Sequence, residues 1–462
     1  MATATTEPVR LPPGPGGPKT VQAVALFWFV DQNRTVAALA RRYGSTFSLS
    51  LPIFGQTVVI SDPTHVKDLF STSRNLLGRA KNNLGEIIGP GSLFNLEGDE
   101  LLERRKLVLP PFHGNRVQSY EQLIEEEVMR EVANWPQGRE FETLPSMSRI
   151  TLNAILRAVF GAEGPALDEL RALILPAVEL GSRIAFLPPI ARRDLGRWSP
   201  KGRLLQYRRR IDAIINSIIA DARADPAFEE RKDVLSLLLQ ARYENGEPIP
   251  DPYIIDELVT LLVAGYETTS AQLAWAVERL RRHPRLLARL TEEVDAGGSE
   301  LRQATIWEVQ RTRPVLIGAL RRTKTRIRLG EWVLPEDTMV WVGVQLAHDS
   351  EESFPDAMSF NPDRFAGAMP NPFAWIAFGG GMNRCIGAPF ANMEIDITLR
   401  TLLREFRFVP TDAPGERRHN RGVTIAPGRG GRAAVYRRTA DASSDADSVS
   451  VADPGSRRLQ NR

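Results

Sequence analysis

Only one cysteine, Cys385, occurs in 462 residues, so no internal disulfide can form and a disulfide-framed secreted scaffold is excluded. The chain has only five histidines (His65, His113, His283, His348 and His419), with no metal-ligand spacing among them. Each is expected to be structural or solvated. Charge of one sign is also missing. The 59 Lys and Arg against 56 Asp and Glu leave +3, too little to suggest a nucleic-acid partner. No apolar run is long enough to span a bilayer. Residues 21–30 (VQAVALFWFV) reach about half the required length and read as an amphipathic packing helix, with surface membrane contact as the alternative. The N-terminus lacks the basic and apolar regions of a signal peptide. A cytoplasmic protein without a transmembrane anchor is expected, with peripheral membrane contact left open. No Gly-x-Gly-x-x-Gly follows a strand and opens a helix, so no dinucleotide domain is visible.

What remains is ordinary for a globular chain with a large core: 42% hydrophobic and 25% charged residues. The length allows two to four average domains or one large enzyme domain. No internal repeat and no long linker divides it, so residues 11–438 are expected to form one domain. Residues 1–10 read as a flexible arm, and 11–15 (LPPGP) as a stiff lead-in. The tail, 439–462, is poor in large apolar residues and is expected to be disordered. Strand patterns fall at Phe47–Leu51 and Thr57–Ser61, and again over Thr323–Leu329, Glu331–Leu334 and Thr338–Val344. Long helical patterns dominate from Gln118 to about Arg282. The fold class is mainly α with small β-sheets.

The lone cysteine lies in Phe378-Gly379-Gly380-Gly381-Met382-Asn383-Arg384-Cys385-Ile386-Gly387. Glycines around it permit turns closed to other residues and let backbone approach a flat ligand. A helix is expected to start after Gly387, which would stabilise a nearby thiolate through its dipole and free N–H groups. By residue type alone a buried structural cysteine is the commoner case; the surrounding loop argues for a ligand.

A second constellation sits in a long helix between Asp251-Pro252 and His283-Pro284, with Asp251 as N-cap, Pro252 at the first position and Pro284 at the stop. At 1.5 Å per residue it would span roughly 46 Å and must cross a core. Its centre reads Ala264-Gly265-Tyr266-Glu267-Thr268-Thr269. Glycine there costs about 1 kcal/mol relative to alanine, so a core helix weakened in its middle asks for a reason. Tight packing at Gly265 is one; chemistry is the other. Third come Glu308-Val309-Gln310-Arg311, with charges three apart on one helix face, and Asn361-Pro362-Asp363-Arg364-Phe365 downstream.

Taken in this order, the three sets resemble the cytochrome P450 family from about Leu11 to Arg438. The resemblance implies the P450 fold, a long central helix over a haem b and a cysteine-ligand loop. It makes Cys385 the axial thiolate on iron, a ligand that favours O–O cleavage, with Phe378, Gly379 and Gly387 shaping the haem-binding loop. It gives Gly265 a groove for dioxygen, Thr268 a hydrogen bond to the oxygen species and Glu267 the supply of protons. Glu308, Arg311 and Arg364 become a buried structural network. For the haem propionates it implies Arg105 and Arg321; strand alternation puts Arg321 inward and Arg322, Lys324, Arg326 and Arg328 on a solvated face. Two positions depart from the family. Leu101 stands where a Trp or His is usual, and Asn383 where a basic residue is usual. Arg384 is expected to face the surface on which an acidic electron donor would dock.

The implied activity is a haem-thiolate monooxygenase that inserts one atom of O2 into a lipophilic organic substrate. Electrons would come from NAD(P)H through a ferredoxin reductase and ferredoxin. The substrate wall is expected to include Ile88, Phe94, Phe186, Leu262 and Tyr266, in a monomer. The alternatives are a peroxide-driven or isomerase-type haem-thiolate enzyme and a non-catalytic haem or ligand-binding protein.

Overall fold

The computed structural model describes residues 1–17, 32–51, 55–80, 85, 88–114, 118–161, 163–185 and 193–438. Residues 21–30, Phe186 and the tail 439–462 lie outside these. The described chain starts with strand β1 (Thr3–Ala4), helix α1 (Gln32–Tyr43), strands β2 (Thr46–Leu51) and β3 (Gly55–Ile60), helix α2 (Pro63–Phe70) and strand β4 (Leu77–Arg79). The start of α2 follows from its sequence. The Asp62 carboxylate accepts the N–H groups of Thr64 and His65 at 2.9 and 3.1 Å, and Pro63 opens the helix.

The helical layer follows: α3 (Gly98–Val108), α4 (Glu121–Val132), the short β5 (Phe141–Glu142), α5 (Leu144–Phe160), α6 (Pro165–Ala185), α7 (Pro200–Ala224), α8 (Val234–Gln240), α9 (Asp251–Leu280), α10 (Pro284–Asp295) and α11 (Glu300–Thr312). Helix α9 is buried nearly all round, as a helix running through a core must be. It packs on α5 along one side and on α13 (Ala388–Glu405) along another. Its first helical residue is Asp251 rather than Pro252, and the Asp251 carboxylate pairs with both terminal nitrogens of Arg223 instead of capping the helix.

Strands β6 (Gly318–Thr323), β7 (Ile327–Leu329), β8 (Trp332–Leu334) and β9 (Met339–Gly343) precede the short helix α12 (Val344–His348). After α13 come β10 (Phe406–Phe408), β11 (Arg418–Asn420), β12 (Ile425–Pro427), β13 (Arg432–Ala433) and β14 (Val435–Arg437). The largest sheet has the order β2-β3-β9-β6-β4, with β3 and β9 parallel. Its register sets Arg79 opposite Arg321, and Arg321 opposite Val340.

Three expectations need correction. Residues 1–10 are not a flexible arm: Thr3 and Ala4 pair with Arg328 and Ile327 of β7, Arg10 bridges Val333, and Ala2 is buried. The strand expected over Thr323–Leu329 is two, β6 ending at Thr323 and β7 starting at Ile327. The basic face of this region is paired rather than simply solvated. Arg322 binds Asp337, Lys324 binds Glu97, Arg326 donates to the carbonyls of Thr6 and Glu7, and Arg328 binds Glu7. Those partners come from remote segments, which alternation alone does not reveal.

Candidate active site

The cysteine loop is held from two sides. Gly379 and Gly381 have φ of +64° and +63°, values that favour glycine. A Cβ on Gly380 would lie 2.1 Å from the Phe70 ring, so the loop presses against the end of α2. The Cys385 amide donates to the Phe378 carbonyl at 3.0 Å and closes the turn. Helix α13 then begins at Ala388, and the N–H groups of Gly387 and Ala388 are directed at the sulfur. Burial pushes the Cys385 thiol up; those two N–H groups, with Arg105 and Arg384, pull the other way. Yet the Cys385 side chain is exposed. A thiol enclosed by protein and still exposed borders an internal space. Gly387 borders open space too, since a Cβ there would meet nothing within 4 Å.

The centre of α9 shows the same signature. Ala264 is exposed and Thr268 half-buried, one turn apart, in a helix otherwise almost wholly buried. The Thr268 hydroxyl donates to the Ala264 carbonyl at 2.8 Å. The next residue, Thr269, faces Glu394 of α13, so this patch of α9 lies where the helix meets the one that follows Cys385. Glu267 turns elsewhere: Thr424 donates to its carboxylate at 2.9 Å, the Arg421 Nε lies 3.9 Å away, and burial raises its pKa. A Cβ on Gly265 would meet Ile155 Cγ1 at 3.1 Å, so the glycine permits the close approach of α5 and α9. The open position is its neighbour Ala264.

Three arginines gather beside this space. Arg321 and Arg79 are both pushed down to about 10, first by desolvation; the Arg79 charge adds to the effect on Arg321, while on Arg79 the Glu97 and Glu257 charges oppose desolvation and the Arg105 charge adds to it. Desolvation lowers Arg105 too, and the Cys385 sulfur lies near enough to act on it. Arg321 donates to the carbonyls of Leu320 and Gly380, and Arg79 Nε to that of Leu96. None of the three makes a salt bridge among the described residues. Clustered guanidiniums without carboxylate partners are costly. They fit a ligand that brings its own anions. Leu101 and Asn383 line the same cavity as Arg79 and Arg321, Leu101 as a buried core residue. Sequence reading missed Arg79. Its signal exists only in the β4–β6 register, which no local pattern encodes.

The Glu308 set is built differently. Arg311 is fully buried, forks onto both Glu308 oxygens at 2.7 and 2.8 Å, and donates to the carbonyls of His348 and Ser359. Arg364 Nε reaches Glu308 at 3.3 Å, and the Asn361 amide at 2.8 Å. The connection to the cysteine loop runs through His348. Its Nδ1 meets the Arg311 carbonyl at 3.0 Å, and its Nε2 accepts the Ile376 amide at 2.9 Å. Burial pushes His348 down to about 3, so the ring is neutral, and its partners fix the tautomer with the proton on Nδ1.

An apolar cavity lies between α6, α7 and α9. Ile88 and Leu262 line it with Val178, Leu204, Ile211 and Val259. Phe94 and Tyr266 do not. Phe94 packs half-buried against the core, and Tyr266 is buried beside Glu267, where desolvation raises its phenol pKa. Glu394 is a further residue the sequence did not single out. It is fully buried beside Thr269, neither carboxylate oxygen makes a well-formed hydrogen bond among the described residues, and burial raises its pKa far above the ordinary range.

A helical fold around a long core helix, with one sulfur facing an internal space, defines a haem-thiolate class of protein. The Cytochrome P450 family profile matches residues 15–430, and the chain belongs to that family. It is 50% identical to cytochrome P450 138 of Mycobacterium tuberculosis over 95% of this chain and 99% of that one. It is 37% identical to cytochrome P450 135B1 of the same organism, over 95% and 94%. Among solved structures, retinoic acid-bound cyanobacterial CYP120A1 superposes with a TM-score of 0.79 at 22% identity, covering 93% of this chain and 100% of that one. That likeness shows the fold. The family's cofactor is a haem whose iron takes a cysteine thiolate, and its members are monooxygenases. The side chains present fit such a group: a sulfur supplied with backbone donors, open positions at Gly387 and Ala264, and desolvated cations with no salt bridge among the described residues, suited to two carboxylates.

Proposed function

We propose that Cys385 would supply the thiolate that binds a haem iron, and that Arg79, Arg105 and Arg321 would hold the haem propionates. The observation that carries this reading is the enclosed yet exposed Cys385 side chain beside three desolvated guanidiniums that make no salt bridge among the described residues. The third cation, Arg79, compensates for Leu101 and Asn383. When bound, the haem iron supplies the activation of dioxygen. The chain's own residues supply the rest. Thr268 presents a hydroxyl at the open patch of α9, where it can pass a proton. Glu267, one residue before Thr268, is the proposed proton source; burial raises its pKa, and the Thr424 hydroxyl donates to its carboxylate. The Glu308–Arg311–Arg364 set and His348 fix the cysteine loop. The apolar cavity excludes water and takes a lipophilic substrate.

Residues 11–438 are proposed to act as one catalytic domain of a cytoplasmic monomer, with the ordered segment 1–10 attached to it. Electrons would arrive from NAD(P)H through a ferredoxin reductase and a ferredoxin. Turnover of haem-loaded protein with that partner system should fall at least tenfold in Thr268→Ala, with peroxide released instead of product. Equal turnover of Thr268→Ala, with peroxide as the better oxidant for both proteins, would instead favour partner-independent chemistry.

A further inference from the structure

Among the described residues on the wall of the apolar cavity, only Arg208 of α7 is charged. The others are aliphatic or glycine, Ser182 apart. A guanidinium at such a place could fork onto a ligand carboxylate. This one is already engaged. Its Nε donates to Asp212 at 2.6 Å, one terminal nitrogen donates to Asp256, and the other to the Ile88 carbonyl. Burial lowers its pKa, but the hydrogen bonds to the two carboxylates outweigh that and leave it raised.

Its partners are fixed in turn. Asp256 also accepts the Gly91 amide at 2.8 Å, and Glu257 accepts the Leu93 amide at 3.1 Å. The Thr260 and Ser92 hydroxyls meet at 2.7 Å. Residues 88–93 are therefore pinned to the first turns of α9, and Arg208 closes the set from α7. The charge at this end of the cavity is one cation against two carboxylates. Behind them Glu257 faces Arg104 at 3.8 Å, a pair that leaves the balance unchanged when both are ionised. An entering carboxylate would lose its hydration, meet aliphatic walls and face an excess of negative charge. An uncharged ligand of the same shape bears no such cost.

We propose that Asp212, Arg208 and Asp256 act as a specificity element, making this cavity a site for uncharged lipophiles such as long-chain alcohols and ketones and turning away the corresponding carboxylates. The inference rests on the reading of this cavity as the substrate site and adds the class of substrate. Arg208 is a positioning residue here: it holds the wall and is not offered to the ligand.

Isothermal titration calorimetry of the haem-loaded protein with dodecanol and with dodecanoate, at about pH 8, tests this. There the ligand carboxylate is ionised, and so is most of Glu257, whose pKa burial pushes up to about 7. Dodecanol should bind at least roughly tenfold tighter than dodecanoate. Asp212 is 33% exposed, so Asp212→Asn and Asp212→Ser remove one opposing charge without opening the core. In either variant the ratio of the two affinities should narrow by roughly fivefold or more. Equal or tighter binding of dodecanoate by the parent protein would overturn the proposal while leaving the cavity a lipophile site. An unchanged ratio in either folded variant would overturn it as well. Absence of binding by both ligands would remove it together with the reading of the cavity on which it rests.

Discussion

Two clusters of arginine in this molecule are built on opposite principles. Around Glu308, charge is buried and satisfied: Arg311 uses a carboxylate fork and two carbonyls, and His348 carries the link to Ile376. Around Cys385, charge is desolvated and not ion-paired among the described residues: Arg79, Arg105 and Arg321 make no salt bridge, and Glu97 and Glu257 act only at a distance, on Arg79. A satisfied cluster is a brace. An unsatisfied one stores a cost that only a ligand relieves, and so marks where the ligand binds.

The contrast can be broken most forcefully at the brace. Arg311→Ala leaves Glu308 buried without its main partner and should cost about 3–5 kcal/mol of stability, seen as a large drop in urea midpoint with or without haem. The same change at the other cluster should have the opposite character. Arg79→Ala or Arg321→Ala should leave the haem-free chain as stable or more stable, while haem affinity falls roughly tenfold or more for each. That loss is the scale of one charge-assisted hydrogen bond, about 1.5–3 kcal/mol. Haem titration beside thermal melting of the haem-free protein separates the two. If Arg79→Ala destabilises the haem-free chain as Arg311→Ala does, the distinction fails.

A gentler probe of the brace is pH. His348 has a folded pKa of about 3 against an ordinary value of 6.5. Between those values the unfolded chain binds the extra proton, so stability should rise with pH across this window. It is fully present above about 6.5 and is lost progressively as pH falls toward 3. Replacing His348 with Gln should flatten that part of the stability–pH curve. The smallest effect is expected at Gly265→Ala. The gain in helix propensity, about 1 kcal/mol, opposes a Cβ contact of 3.1 Å with Ile155. Net stability should change by less than about 1 kcal/mol, and Ile155→Val in the same chain should make the alanine favourable.

These residues also show what sequence can and cannot carry. The cysteine loop, α9 and the Glu308 set are legible because their chemistry sits within short windows of chain. The inward turn of Arg321 against Arg322 follows strand alternation, a local rule. Arg79 was invisible because its place beside Arg321 depends on pairing across more than two hundred residues. The packing contact of Gly265 is hidden for a related reason: it needs the facing residue, Ile155, which no local pattern names. The first ten residues look flexible in sequence because their partners, Arg326, Arg328 and Val333, lie about 320 residues further along the chain.

The central claim is that the exposed sulfur in an otherwise enclosed loop is the iron ligand. The absorption spectrum of the reduced, carbon monoxide-bound, haem-loaded protein tests it most directly. The account predicts the red-shifted band of thiolate ligation, lost in Cys385→Ser while the fold and the haem are retained. A band typical of imidazole ligation in the parent protein, or an unchanged band in Cys385→Ser, would contradict it.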